Sequence, residues 1–119
     1  MRHPEDTRLV YPDDVNGDVF RRMRAANFDF TEPHDVEFFA VFSTEEGADS
    51  VAMEYAADHK AGDHLVNIEA RPAESGGMEL ELVKRMILTH EAVTEFEQRL
   101  AARVAKHDGY LDGWGVVQE

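Results

Sequence analysis

The sequence predicts an α+β sandwich in which two strand–helix–strand units share one antiparallel sheet. Three observations predict it. Residues 35–42, DVEFFAVF, alternate as a strand that is apolar on most of both faces, as expected near the centre of a sheet. Residues 90–107 carry the best helical periodicity of the chain. The pair Gly76-Gly77 separates two further alternating stretches as a hairpin. At 119 residues the chain suits one domain with its own core. Residues 1–12, closed by Pro12, are expected to form a flexible N-terminal arm, and 13–119 the single domain.

Taken in order, Asp13 or Asp14 is placed to cap a first helix over roughly 14–26, with Val15, Val19, Phe20 and Met23 as its apolar stripe. Arg21, Arg22 and Arg24 suit the C-terminal end of its dipole, and Asn27 can end it in a left-handed conformation. Phe28 and Phe30 are expected to seal the seam between helix and sheet, before a turn at Thr31-Glu32-Pro33. In the strand 35–42, Val36, Phe38, Ala40 and Phe42 point to the helices. Glu37, Phe39 and Val41 point the other way, where the first helix, a second copy or a partner could cover them. Ser43 and Glu46 stand in capping-box spacing for a second helix to about residue 59, with Ala48, Val51, Ala52, Tyr55 and Ala56 buried.

A turn at Lys60–Asp63 leads to a second strand, 64–71, with Val66, Ile68 and Ala70 inward. After the glycine hairpin, the third strand, 78–87, sets Met78, Leu80 and Leu82 against Glu79, Glu81 and Val83. Thr89 caps the third helix, whose Val93, Phe96, Leu100 and Val104 form one stripe; Glu95 and Arg99 make an i,i+4 pair. Asp108-Gly109 ends it. The stretch His107–Val117, HDGYLDGWGVV, then supplies a fourth strand, with Gly113 and Gly115 permitting close backbone approach around Trp114. The order β-α-β-β-α-β with an additional N-terminal helix is that of a ferredoxin-like sandwich, whose antiparallel sheet runs 4-1-3-2.

Composition narrows the function classes. Without cysteine there is no disulfide scaffold, iron–sulfur site, zinc-thiolate site or thiol nucleophile. The net charge of −13 comes from 25 acidic residues spread along the whole chain, a field that repels nucleic acid and anionic membrane. It favours a basic partner or a high-salt milieu, with plain solubility as the simplest account. Neither an apolar leader core nor a stretch approaching a membrane span is visible, so a cytoplasmic location is expected.

Candidate chemistry is sparse. The glycines at 109, 113 and 115 follow a helix instead of opening one, so they imply no phosphate cradle, and His90-Glu91 lacks the second histidine of a zinc-protease motif. His59 and His64 could meet at a metal with Asp58 or Asp63, but loop histidines of an acidic protein are commoner as surface groups; no metal and no cofactor is expected. A small metal-dependent or acid–base enzyme would have to use His90, His107 or the Asp108/Asp112 pair. Phe39 on an open sheet face could stack an RNA base, yet Glu37, Glu79 and Glu81 around it argue against direct nucleic-acid binding.

Four blocks of the chain together carry a resemblance: Asn16-Gly17-Asp18-Val19, Val36 through Phe42, Thr89-His90-Glu91-Ala92-Val93-Thr94 with Phe96-Glu97, and Gly109-Tyr110 with Asp112-Gly113-Trp114-Gly115. In order and spacing they resemble the regulator of ribonuclease activity B (RraB) family, over about residues 13–117. The resemblance implies a ferredoxin-like fold and a non-catalytic inhibitor that binds the arginine-rich scaffold region of the endoribonuclease RNase E, modulating RNA decay. The acidic surface is complementary to such a basic protein segment. The expected partner-binding residues are Phe39, Glu37, Glu79, Glu81, Asp112 and Trp114. Trp114 is either buried, with a partner for its indole nitrogen, or exposed as a cation–π anchor; burial is the favoured of the two. A homodimer through the edge strand and the face of Phe39 and Val41 is the structural alternative.

Overall fold

A computed structural model describes residues 14–74 and 76–117. The order of elements is α1 (Val15–Ala25), β1 (Pro33–Phe42), α2 (Glu45–Lys60), β2 (Asn67–Pro72), β3 (Met78–Ile87), α3 (His90–Ala105) and β4 (Gly109–Val116). The four strands form one antiparallel-paired sheet in the order β2-β3-β1-β4. This is the expected 4-1-3-2 arrangement read from the other edge. The arm at residues 1–12 and the candidate cap Asp13 lie outside the described residues.

The core follows from the alternation of β1. Val36, Phe38, Ala40 and Phe42 are all buried and meet Leu80 and Leu82 of β3 on the same face. Ala48, Val51 and Tyr55 of α2 and Val93, Leu100 and Val104 of α3 close over them. Arg103 of α3 ties the two helices together: its guanidinium lies 4.5 Å from the Tyr55 ring centroid and 2.7 Å from an Asp58 oxygen.

Helix α1 joins this same core and does not cover the second face of β1. Phe20 is fully buried, with ring centroids 5.7 Å from Phe30 and 5.8 Å from Trp114. Val15, expected in the buried stripe, is instead 78 % exposed, because the helix begins there, ahead of the turn that meets the core. The cap is Asp14, whose carboxylate accepts from the Gly17 N–H at 2.6 Å. Asn27 does end the helix region at φ 62.

Asn16 fixes the angle of α1. Its amide nitrogen donates to Thr94 Oγ1 at 3.2 Å and Glu97 Oε1 at 2.7 Å, both on α3. Its amide oxygen accepts from Trp114 Nε1 on β4 at 3.0 Å. One short side chain therefore satisfies the indole N–H and pins three elements.

Other elements differ locally from expectation. The N-cap of α2 is Thr44, accepting from Gly47 N–H at 3.1 Å, and not Ser43. Strand β1 begins two residues early, at Pro33, because the pairing with Ile87 extends that far. Strand β2 begins late, at Asn67. Leu65 turns into the core ahead of it, which leaves Val66 55 % exposed. Met78–Ile87 is the strand expected, and Gly77 closes the hairpin at φ +76; a Cβ there would lie 2.3 Å from the Phe42 carbonyl oxygen.

Asn16→Ala removes three hydrogen bonds and strands the indole N–H. The expected loss is about 1–3 kcal/mol, seen as a lower urea midpoint at unchanged slope. An unchanged midpoint would refute the anchoring role of this amide.

Candidate functional site: the open sheet face

The three helices occupy one side of the sheet, and the other side is open among the described residues. Its composition follows from strand alternation and register. One row across the sheet reads Glu69, Glu81, Phe39, Gly113; the next reads Arg71, Glu79, Val41, Tyr110; a third reads Asn67, Val83, Glu37, Gly115. The β2–β3 half thus carries Glu69, Glu79 and Glu81, and the β1–β4 half is aromatic, aliphatic and glycine apart from Glu37. At Gly113, opposite Phe39, a Cβ would meet nothing within 4 Å, so the surface there is open.

Register places Glu69 directly opposite Glu81, a like-charge pair that would repel. Arg71 resolves it. Its Nη1 bonds Glu69 Oε2 at 2.7 Å and Glu81 Oε1 at 2.8 Å, while Nε and Nη2 reach Glu79 Oε1 at 3.1 and 2.7 Å. Hydrogen bonds donated to Glu81 and Glu69 hold the guanidinium well above its ordinary value, fully charged. Three carboxylates to one guanidinium leave this group two charges negative.

Glu37 stands diagonally across from Glu81. Burial first, and then the facing Glu81 carboxyl, raise its carboxyl above the usual 4.5, with Arg71 pulling the other way. Asp112 sits at the end of the face. It is the extra residue of a β-bulge, where the register slips between Phe39–Gly113 and Ala40–Leu111. With Val41, Arg71, Glu79 and Tyr110 it lines an open depression of about 570 Å³.

Four of the expected partner-binding residues, Phe39, Glu37, Glu79 and Glu81, share this face, and Asp112 lies at its rim. Trp114 does not join them. It pairs with Phe38 on the helix side, partly buried, packed on Phe20 and bonded to Asn16, so its indole is turned away from the open face. Glu69, Arg71 and Tyr110 belong to the face and were not singled out. The alternation of residues 64–71 already sends Glu69 and Arg71 outward, and Tyr110, 61 % exposed, is the aromatic that remains there.

His59 and His64 come together, with ring centroids 5.0 Å apart, while His90, His107 and Asp108 each sit with different neighbours. His90 Nε2 lies 3.1 Å from both oxygens of Asp14; the Gly17 N–H and then His90 hold that carboxyl below its ordinary value. His107 faces Glu54 of α2 at 3.9 Å. Asp108 makes the left-handed turn after α3 at φ 56. His59 Nδ1 accepts from the Leu65 N–H at 3.0 Å, which uses that nitrogen in the turn instead of presenting it with His64. Among the described residues no group of three or more metal-ligating side chains is arranged to hold an ion, and no helix is long and apolar enough to cross a membrane.

A family model described as "Regulator of ribonuclease activity B" (RraB) matches residues 13–116. The chain belongs to the RraB family. No curated protein matches it. The family places the chain among regulators of ribonuclease activity.

The raised carboxyl gives a signed expectation. Between the ordinary value and the raised folded value, native Glu37 binds more protons than the unfolded chain, so its contribution to stability falls as pH rises through that window. Glu37→Gln should therefore raise the melting temperature at pH 7 relative to the native chain, and change it little near about pH 4 and below. A thermal scan at both pH values checks this; an equal shift at both would refute it.

Proposed function

We propose that this RraB-family protein is a non-catalytic regulator that seats the open face of its sheet on the arginine-rich scaffold region of RNase E in the cytoplasm, and so modulates RNA decay. The observation that carries this reading is the pairing of a net-negative carboxylate group with Phe39, Val41 and Tyr110 on one uncovered face. Arginine matches both halves. Its planar fork bonds carboxylates bidentately, and its flat cation stacks on aromatic faces such as Phe39 and Tyr110.

The same face suits nucleic acid poorly. Phosphates would meet Glu37, Glu69, Glu79 and Glu81 within an overall charge of −13. Self-pairing through the outer edge of β4 is the structural alternative. The bulge at Asp112 interrupts that edge, which weakens a continuous strand-to-strand ladder between two copies.

The test is a titration of the full chain with a peptide from the RNase E scaffold region across a salt series. Binding should weaken as salt rises. Glu37→Lys and Phe39→Ala should each weaken it about tenfold, the size of one lost contact of about 1.4 kcal/mol, with far-ultraviolet circular dichroism unchanged. No binding at physiological salt, or unaltered binding by both variants, would overturn the reading.

A further inference from the structure

We propose that Arg71 is a built-in competitor: an intramolecular guanidinium that occupies the place an incoming arginine side chain would take, and so limits how tightly the open face holds an arginine-rich partner. The inference rests on the reading that this face takes arginine, and goes beyond it by naming the residue that tunes the affinity.

Four observations carry it. Arg71 engages three different carboxylates through Nε, Nη1 and Nη2, at distances from 2.7 to 3.1 Å. That is how a free arginine would be held on this face. Arg71 is not locked by the core: its side chain is 37 % exposed, on an edge strand, next to the Pro72 that ends that strand. The carboxylates it occupies adjoin the apolar side chains of the face, since Glu81 lies opposite Phe39 and Glu79 opposite Val41. Finally, Glu37, diagonal to Glu81, makes no ion pair among the described residues, so the face is only partly neutralised by its own cation.

The energetics permit exchange. Partly exposed ion pairs contribute little each, and replacing one guanidinium by another conserves the hydrogen bonds. A segment with several arginines would meet Glu37 first, at the unneutralised end, and displace Arg71 with the next residue. The displaced side chain then points to water at the sheet edge. Removing Arg71 should free the carboxylates in advance.

The experiment compares the native full chain with Arg71→Gln. The probes are a synthetic peptide of alternating arginine and serine and its lysine–serine counterpart. Arg71→Gln should bind the arginine peptide about fivefold tighter, the scale of one weak ion pair, with a smaller gain for the lysine peptide. Arg71→Lys, which keeps the charge but loses the fork, should fall between the two and serves if Arg71→Gln folds poorly. In parallel, millimolar methylguanidinium should raise the melting temperature of Arg71→Gln by about 2 °C or more while leaving the native chain unmoved, and methylammonium should not.

Equal or weaker binding of the arginine peptide by both variants, with the native chain binding, would overturn the competitor role and make Arg71 an organiser of the face. If neither native chain nor variants bind the peptide but methylguanidinium still rescues Arg71→Gln, the guanidinium site stands and the proposed partner falls. Failure of both peptide binding and rescue overturns both.

Discussion

Both helical crossovers of this fold pass on the same side of the sheet, and that constraint shapes everything else. The strand order makes β1 parallel to β2 and β3 parallel to β4, each pair separated by one strand. Right-handed crossovers then put α2 and α3 on one face. The apolar set of β1 that faces them becomes the core, and the set that faces away is left to water. Helix α1 could have covered that second face. The Asn16 amide, held by Thr94, Glu97 and Trp114, directs it to the helix side instead.

Two different surfaces result. The helix side is closed by aromatic packing: Phe20 lies against Phe30 and Trp114, and Phe38 stacks on Phe96 at 4.2 Å. The open side is built from charge and small residues. Its acidic half would be unfavourable as strand pairing alone, with Glu69 across from Glu81, and is tolerable because a single arginine bridges the glutamates. The face thus carries part of its own neutralising charge.

Much of this was legible from residue order. The strand at β1, the glycine hairpin and the Thr89 cap are local signals that tertiary context reinforced. The choice of Thr44 over Ser43 was not legible, because adjacent hydroxyls compete for one cap and only the placement of the Gly47 N–H decides. Trp114 shows a deeper limit. Counting alternation outward from Tyr110 sets Asp112 and Trp114 on one side with Phe39. The bulge inserts Asp112 as an unpaired residue, and the parity of everything after it reverses, which turns Trp114 into the core. The role of Arg71 was hidden for another reason: it comes from the pairing of β2 with β3, and no single stretch contains it.

The position of Trp114 also divides the molecule optically. As the one tryptophan of the chain, bonded to Asn16 and packed on Phe20, it reports through its emission on the docking of α1. The open face carries Tyr110 and Phe39 but no indole. Fluorescence excited at the tryptophan band therefore follows the helix layer, while occupancy of the sheet face is read through a label on the ligand. The two layers can be monitored independently in one sample, without adding a probe to the protein.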